Sequence, residues 1–398
     1  MSGIVIDHQL CIKCNACIAG CPFKALTMEN GLVEVNAACK MCKACIKICP
    51  VQAISMQKLQ ETTVDKSLYK GVLVYVEHTL GAIHPVTYEL ISKAKELAAV
   101  IKQEVYCLFI GHGIKQHAND LLYYGVDKVL VYDQEELKYF RVDTYANVFT
   151  DAIGYLMPNT VLVGATTTGR SLAPRVATRF KTGLTADTTI LEMRENTDLV
   201  QIRPAFGGNI MAQILTSKTR PQFATVRYKV MDSAKKSNVA SGIVVSRTID
   251  PLLLESKIII EDVQMKKLDF EISNADVIVV AGNGIKDEKG MNLVKELAEC
   301  LNGVVGVTRP LVESGVASYL HQIGLSGRTV KPKLIITCGV SGAIQFVAGM
   351  NNSETIMAIN KDPHAPIFNN AHYAVVGDLY QILPSLIKSI KRSQVHGI

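Results

Sequence analysis

Apolar residues in this chain fall into short unbroken runs, separated by mixed segments of helical length. GVLVYVEH (71–78) reads as a strand and VTYELISKAKELAAVIK (86–102) as an amphipathic helix. VYCLFIGHG (105–113) and KVLVYD (128–133) read as two more strands, and TVLVGATTTGRSLAPRVATRF (160–180) as strand, tight turn and helix. Strands written as continuous apolar runs predict a parallel sheet covered on both faces. The pattern then becomes β-rich, as in ILTSKTRPQFATVRYKV (214–230), and this domain is expected to close near residue 255. A second alternation follows the polar stretch 261–274: ADVIVVAGNGIKDEKGMNLVKELAECLNG, VVGVTRP, KPKLIITCGVSGAIQFVAGM, ETIMAINKDP and YAVVGDLY, closed by the helix QILPSLIKSIKR. This predicts a doubly wound α/β domain whose ligand lies at the carboxyl ends of the strands.

Composition adds limits. The chain has 398 residues, 48% hydrophobic and 20% charged, which is a globular composition with room for two or three domains. A net charge of +6 is dilute, and lysine and arginine are scattered, so no nucleic-acid partner is expected. No apolar run approaches eighteen residues, so no membrane span is expected. The first residues, MSGIVIDHQLCIKC, lack a cationic segment followed by an apolar one, so a cytoplasmic location is expected.

Eight of the eleven cysteines lie between residues 11 and 49. They form one run twice: Cys11, Cys14, Cys17, Cys21-Pro22, and Cys39, Cys42, Cys45, Cys49-Pro50. The segment is thus an internal duplication. Three thiolates at two-residue gaps wrap three corners of one cubane cluster, and the cysteine before proline ligates the other cluster. The expected sets are Cys11, Cys14, Cys17 with Cys49, and Cys39, Cys42, Cys45 with Cys21, each holding one [4Fe-4S] cluster. Zinc prefers isolated cysteine pairs with a longer spacer, and a disulfide framework needs an oxidising compartment. So short a segment buries little apolar surface, and the clusters are expected to hold it together. It resembles a bacterial two-cluster ferredoxin over residues 1–57. Cys107, Cys300 and Cys338 lie in apolar or helical runs and are expected to be small buried hydrophobes.

Three glycine-rich turns are candidate nucleotide cradles. Gly282-Asn283-Gly284 lacks the third glycine of the dinucleotide fingerprint. Gly339-Val340-Ser341-Gly342-Ala343-Ile344 follows a strongly apolar strand and opens a helix, a setting suited to pyrophosphate. Gly164-Ala165-Thr166-Thr167-Thr168-Gly169-Arg170 also has the form of a phosphate cradle, but no Lys-Ser/Thr pair makes it a P-loop. His78 and His84 lack a third ligand nearby and are expected in loop or core roles.

The stretch VGVTRPLVESG, then IGLSGRTVKPKLIITCGVSGAIQFVAGMNNSETIMAINKDPHAPIF and VVGDLY, closely resembles the α subunit of electron transfer flavoproteins (Etf). So do VLVYVEHTLGAIHPVTYEL, GATTTGRSLAPRVA and RPAFGGNIMAQILTSKTRPQFATVR, and the resemblance spans about residues 68–390. It implies four segments: a ferredoxin-like domain (1–57), a linker (58–67), an Etf α/β domain (68–255) and a doubly wound FAD-binding domain (256–398). It implies FAD bound near Thr308, Arg309 and the run Ile323, Gly324, Leu325, Ser326. Arg309 matches an arginine lying against the isoalloxazine, where a guanidinium stabilises negative charge on the reduced ring. Ser326 matches a threonine whose hydroxyl faces flavin N5. Ser341, Gly342, Ala343, Ile344 and Gln345 match the turn holding the pyrophosphate and ribityl chain. Asn360, and Asp378 with Leu379, match strand ends near the adenosine. Phe346 stands where many members carry histidine, and Asn283 where many carry arginine between the two glycines.

The resemblance also implies partners. An Etf β subunit would hold the second nucleotide, which leaves the threonine turn at 164–170 as a relic of the shared fold. The expected function is electron transfer through FAD between an NADH-oxidising β subunit and an acyl-CoA dehydrogenase- or reductase-type flavoprotein. The favoured setting is an electron-bifurcating NADH:enoyl-CoA (caffeyl-CoA) reductase complex that also reduces soluble ferredoxin. A non-bifurcating carrier, or the Etf of a lactate dehydrogenase complex with the ferredoxin domain used for docking, is the alternative. No catalytic acid–base pair stands out, so the chain completes no reaction alone.

Overall fold

The computed structural model describes residues 3–36, 38–56, 64–205, 210–264 and 272–396. The chain separates into two compact units, Met1–Thr63 and Val64–Ile398. The linker expected at 58–67 is outside the described residues up to 63. Beyond that point the chain is already fastened to the second unit: Val64 N donates to Lys218 O, and Lys66 Nζ pairs with Asp198 at 2.7 Å.

The first unit has little regular structure. Ile4–Ile6 pairs antiparallel with Ile54–Met56, joining its ends, and Leu26–Glu29 and Leu32–Val35 form a hairpin. Two short helices, Ala16–Ala19 and Ala44–Ile48, carry the third cysteine of each run, Cys17 and Cys45. Its core is Ile4, Leu26, Val33 and Ile54 with the buried Cys17 and Cys45. So few apolar side chains make a marginal core, as the sequence indicated.

In the second unit the apolar runs become two parallel sheets. The first has seven strands: β1 (Val72–Val76), β2 (Val105–Gly111), β3 (Lys128–Asp133), β4 (Thr160–Gly164), β5 (Leu184–Thr188), β6 (Gln222–Val226) and β7 (Ile243–Arg247). Their spatial order is β5-β6-β4-β1-β2-β3-β7, all parallel. Alternate residues feed opposite faces: Val72, Val74 and Val76 join one core, and Leu73 and Tyr75 the other. Burial on both faces is why these strands carry no polar alternation. A separate antiparallel sheet is formed by Ile190–Met193, Leu199–Ala205 and Ile210–Leu215; the segment 214–230 therefore straddles both sheets, since its Gln222–Val226 is β6. The second main sheet has β8 (Val277–Ala281), β9 (Val304–Val307), β10 (Leu334–Cys338), β11 (Thr355–Asn360) and β12 (Tyr373–Val376), ordered β9-β8-β10-β11-β12 and parallel throughout.

Each order reverses at one place, between β1 and β4 in the first sheet and between β8 and β10 in the second. Chains leave such neighbours in opposite directions, which opens a crevice at their carboxyl ends. Cys107 and Cys338 are fully buried within strands, and burial pushes the Cys338 thiol up to about 12, which makes both inert hydrophobes. His78 Nε2 lies 2.7 Å from Ile110 O, and His84 Nδ1 accepts from Val86 N, so both histidines serve the loop that joins β1 to its helix.

Glu89, on the helix Val86–Ile101, is buried and accepts two contacts from Lys229 N, at 3.2 and 3.0 Å. Burial pushes its carboxyl up to about 7. The folded state therefore holds this proton longer than the unfolded chain does. Stability falls as pH rises from the ordinary carboxylate range through about 7, by on the order of 3 kcal/mol. Glu89→Gln keeps an acceptor without the charge. Its denaturation midpoint should exceed wild type above about pH 7 and converge with it near pH 5; an equal offset at both pH values would refute this account.

Candidate functional site

The duplicated cysteine runs line two cavities in the first unit. One is bounded by Cys11, Cys14, Cys17 and Cys49, the other by Cys39, Cys42, Cys45 and Cys21. Each run thus contributes its last cysteine to the other's cavity. All eleven cysteines are free thiols. Among the described residues no three potential ligands converge as a single ion requires; the thiols surround a space instead. Backbone N–H groups already point at sulfur: Ala25 N to Cys21 Sγ at 3.3 Å and Met41 N to Cys39 Sγ at 3.4 Å. Such donors favour thiolate, and they hold the Cys21 thiol below its ordinary value. A cysteine donor set around a hollow fits a cubane cluster better than one metal ion.

The crevice of the second sheet is made by backbone contact. Gly282 N donates to Cys338 O and Gly284 N to Gly339 O, both at 2.9 Å. A Cβ on Gly282 would lie 2.4 Å from Gly339 O, and one on Gly342 (φ +91°) would lie 2.1 Å from Ile367 N. Glycine is required at both places. Among the described residues, the backbone N–H groups of Ser341 to Gln345 find no acceptor in the protein. Ser341, Ala343, Ile344 and Gln345 are exposed on this turn. A run of free donors beside the strand ends suits a diphosphate.

The remaining expected residues fall around this crevice in different states. Asn360, at the end of β11, donates from Nδ2 to Val340 O at 2.8 Å and so braces the turn. Asp378 is exposed and accepts from Tyr380 N at 2.9 Å, at the start of the last helix. Thr308 Oγ1 is buried without a hydrogen-bond partner, an orphaned polar atom at the end of β9. Arg309 is 67% exposed and pairs only with Glu313, at 2.8 Å, a contact weak enough to leave the guanidinium available. Gly324 N accepts its place by donating to Arg328 O, while Leu325 N donates to Gln345 O at 2.8 Å and ties this loop to the turn. Ile323, Phe346 and Leu379 are buried in the domain core. Phe346 is therefore a packing residue; Asn283 is exposed.

Gln322, 3% exposed, was not legible from the pattern. Its Nε2 donates to Ser326 Oγ at 2.9 Å. With that lone pair engaged, the Ser326 hydroxyl is turned to donate outward. Only a buried amide beside a small hydroxyl residue signals this role, and sequence cannot show that the two meet.

The first sheet's crevice is arranged otherwise. There Glu77, following β1, accepts from Thr166 Oγ1 at 2.6 Å, and Thr166 accepts from Gly169 N to cap the helix Thr167–Arg179. The protein's own carboxyl thus stands at the position where a phosphate would meet this turn, and burial raises its pKa. The threonine turn also lines a cleft of about 550 Å³, with Arg170 and Arg227 on its side and Ser326 and Arg328 opposite.

Comparison with known proteins agrees with this division. Residues 3–50 match the 4Fe-4S dicluster domain, 72–252 the electron transfer flavoprotein domain, and 271–351 the electron transfer flavoprotein FAD-binding domain. The chain is 43% identical to the electron transfer flavoprotein subunit alpha of Thermoanaerobacterium thermosaccharolyticum, over 81% of its own length and 98% of that protein's. The chain belongs to the electron transfer flavoprotein α family. It carries that family's FAD-binding domain and, in addition, an iron–sulfur dicluster domain. It is also 56% identical to the lactate dehydrogenase (NAD(+),ferredoxin) subunit LctC of Acetobacterium woodii, over 93% of this chain and 89% of that one. A third relative, the acryloyl-CoA reductase electron transfer subunit beta of Anaerotignum propionicum, is 38% identical over 83% of this chain. Among the described residues no helix is long and apolar enough to cross a membrane.

Two measurements test the site. The crossed lining requires Cys14→Ala and Cys49→Ala to abolish the same cluster signal in electron paramagnetic resonance, and Cys21→Ala the other, each with roughly half the iron lost. If Cys21→Ala removes the signal that Cys14→Ala removes, the crossed assignment fails. At the flavin site, Thr308→Val removes an orphaned hydroxyl that costs about 1–3 kcal/mol when unpaired. The flavin-free protein should melt higher than wild type while FAD dissociates more readily. Parallel changes in both would show that the hydroxyl has no ligand to meet.

Proposed function

We propose that this chain is the electron-transfer subunit of an NAD- and ferredoxin-linked 2-hydroxyacid dehydrogenase complex acting on lactate. The supporting observation is extent of likeness. The plain α subunit of T. thermosaccharolyticum matches over nearly its whole length yet covers 81% of this chain, while LctC covers 93%. The dicluster segment thus goes with the relative whose name includes ferredoxin. An NADH-dependent enoyl-CoA (caffeyl-CoA) reductase complex is the second reading, supported by the acryloyl-CoA reductase subunit at lower identity.

When bound, FAD takes up or releases one or two electrons, and each [4Fe-4S] cluster one. The chain's own residues bind and orient. The free N–H groups from Ser341 to Gln345 would hold the pyrophosphate, helped by the Gly282–Gly339 contact that keeps side chains out. Asn360 and Asp378 would receive the adenosine end, where a carboxylate accepts from ribose hydroxyls. Arg309 would swing from Glu313 to the ring and place positive charge beside it, and Ser326, held by Gln322, would donate to N5. Cys11, Cys14, Cys17 and Cys49 would hold one cluster, and Cys39, Cys42, Cys45 and Cys21 the other. A β subunit is the pairing partner, with a dehydrogenase flavoprotein supplying the substrate site. For lactate the balance is two electrons from lactate and two from two reduced ferredoxins, which together reduce two NAD+.

The test is the reconstituted complex with lactate and NAD+. NADH formation that requires reduced ferredoxin supports the proposal. NADH-driven reduction of an enoyl-CoA with ferredoxin reduction, and no response to lactate, supports the second reading. NADH formation from lactate that ignores ferredoxin makes the chain a plain carrier.

A further inference from the structure

The duplication in the first unit carries its own internal control. Superimposing the repeats by their cysteines sets Ile12 against Lys40, Asn15 against Lys43 and Ala19 against Lys47. The cavity of Cys11, Cys14, Cys17 and Cys49 is walled by aliphatic side chains and Asn15, without charge. The other cavity includes Lys40, Lys43 and Phe23 in its wall. Cys42 is its exposed corner, and Lys40, Met41 and Lys43 beside it are exposed too. Residues 35–56 contain three lysines and no carboxylate. Among the described residues none of the three forms an ion pair.

Local physics does not favour these lysines. Lys43 takes the left-handed conformation (φ 66°) that Asn15 (φ 60°) takes in the first repeat, a position suited to asparagine. Lys43 also caps the N-terminus of Ala44–Ile48, where the helix dipole disfavours a cation. Lys47 follows four residues later, a like-charge spacing. The first repeat shows that a cysteine cavity of this kind does without them. Phe23 (43% exposed) and Met41 (42%) supply apolar surface inside the lysine rim. An apolar centre with a charged rim has the composition of a transient protein interface.

We infer that the Cys42 corner is the docking surface for an acidic protein that carries one electron at a time. This rests on the reading that the cavities hold clusters and that ferredoxin is a partner. In the proposed direction the reduced carrier loses one electron, which a cluster held by Cys39, Cys42, Cys45 and Cys21 would accept; no proton moves and no bond forms or breaks, and the same contact can be read in reverse. The Cys14 corner of a second copy does not fit, because Lys13 beside it presents positive charge there as well. Opposite charge on the carrier accelerates encounter and makes it salt-dependent.

The experiment uses the cluster-loaded complex of this chain with its β subunit, reduced with dithionite and mixed by stopped flow with a small acidic two-cluster ferredoxin. Menadione, a small uncharged acceptor, reports cluster competence. Wild type should react with a rate constant that falls steeply with salt. Lys40→Glu/Lys43→Glu should lower the ratio of the ferredoxin rate to the menadione rate about ten- to a hundredfold at low salt and flatten the salt dependence of that ratio. Lys40→Gln/Lys43→Gln should lie between, and Lys13→Glu should change little. A wild-type rate and salt slope in the double reversal overturn the corner assignment alone. An equal loss in Lys13→Glu also overturns it, by showing general rather than local attraction. A wild type that leaves ferredoxin oxidised while menadione drains the clusters overturns the ferredoxin reading along with it.

Discussion

The contact between the Gly282 and Gly339 turns governs what the second domain can hold. Two strand ends diverge there, and the two backbones touch with no side chain between them. A Cβ on Gly282, Gly284 or Gly339 would meet the facing backbone at under 3 Å and force the turns apart. The other features follow. Asn360 braces the turn through Val340 O, and Leu325 N reaches Gln345 O to draw the Ser326 loop alongside. The ligand surface is thus mostly main chain, positioned by a sheet with apolar residues on both faces.

The two main sheets solve the same geometrical problem with opposite results. In the second, the reversal of strand order is left open and glycine-lined. In the first, Glu77 and Thr166 are hydrogen-bonded to each other across it and line one wall of the cleft. The carboxyl accepts from the Thr166 hydroxyl, which in turn accepts from Gly169 N at the start of the helix. The threonine turn thereby becomes wall material for the neighbouring cleft.

Much of this was legible in the chain. Unbroken runs such as VLVYV and VIVVA read as strands buried on both faces, and the parallel sheets follow that reading. The cysteine spacing named both thiol sets, and the structure gathers each set around its own cavity. Residue-level roles were harder to read. Phe346 and Leu379 lie in the ligand-associated segments, yet their side chains face the core, because a strand end or short helix presents alternate residues to opposite sides. Gln322 was invisible, since its meaning lies in a hydrogen bond to a residue four positions on that only a tight loop brings near. Glu77 and Thr166 are 89 residues apart in the chain, and their pairing depends on the order of strands in the sheet.

The exchange of last cysteines between the two repeats also bears on how the small unit can evolve and fail. Neither repeat closes its own cavity, so deleting one copy would leave the other without its fourth cysteine. Damage to one half propagates: oxidising Cys21 or Cys49 leaves its own run of three intact but uncaps the hollow across from it. Each half thus depends on the other for one wall of its own cavity, and a lesion in one run is felt in the cavity of its neighbour.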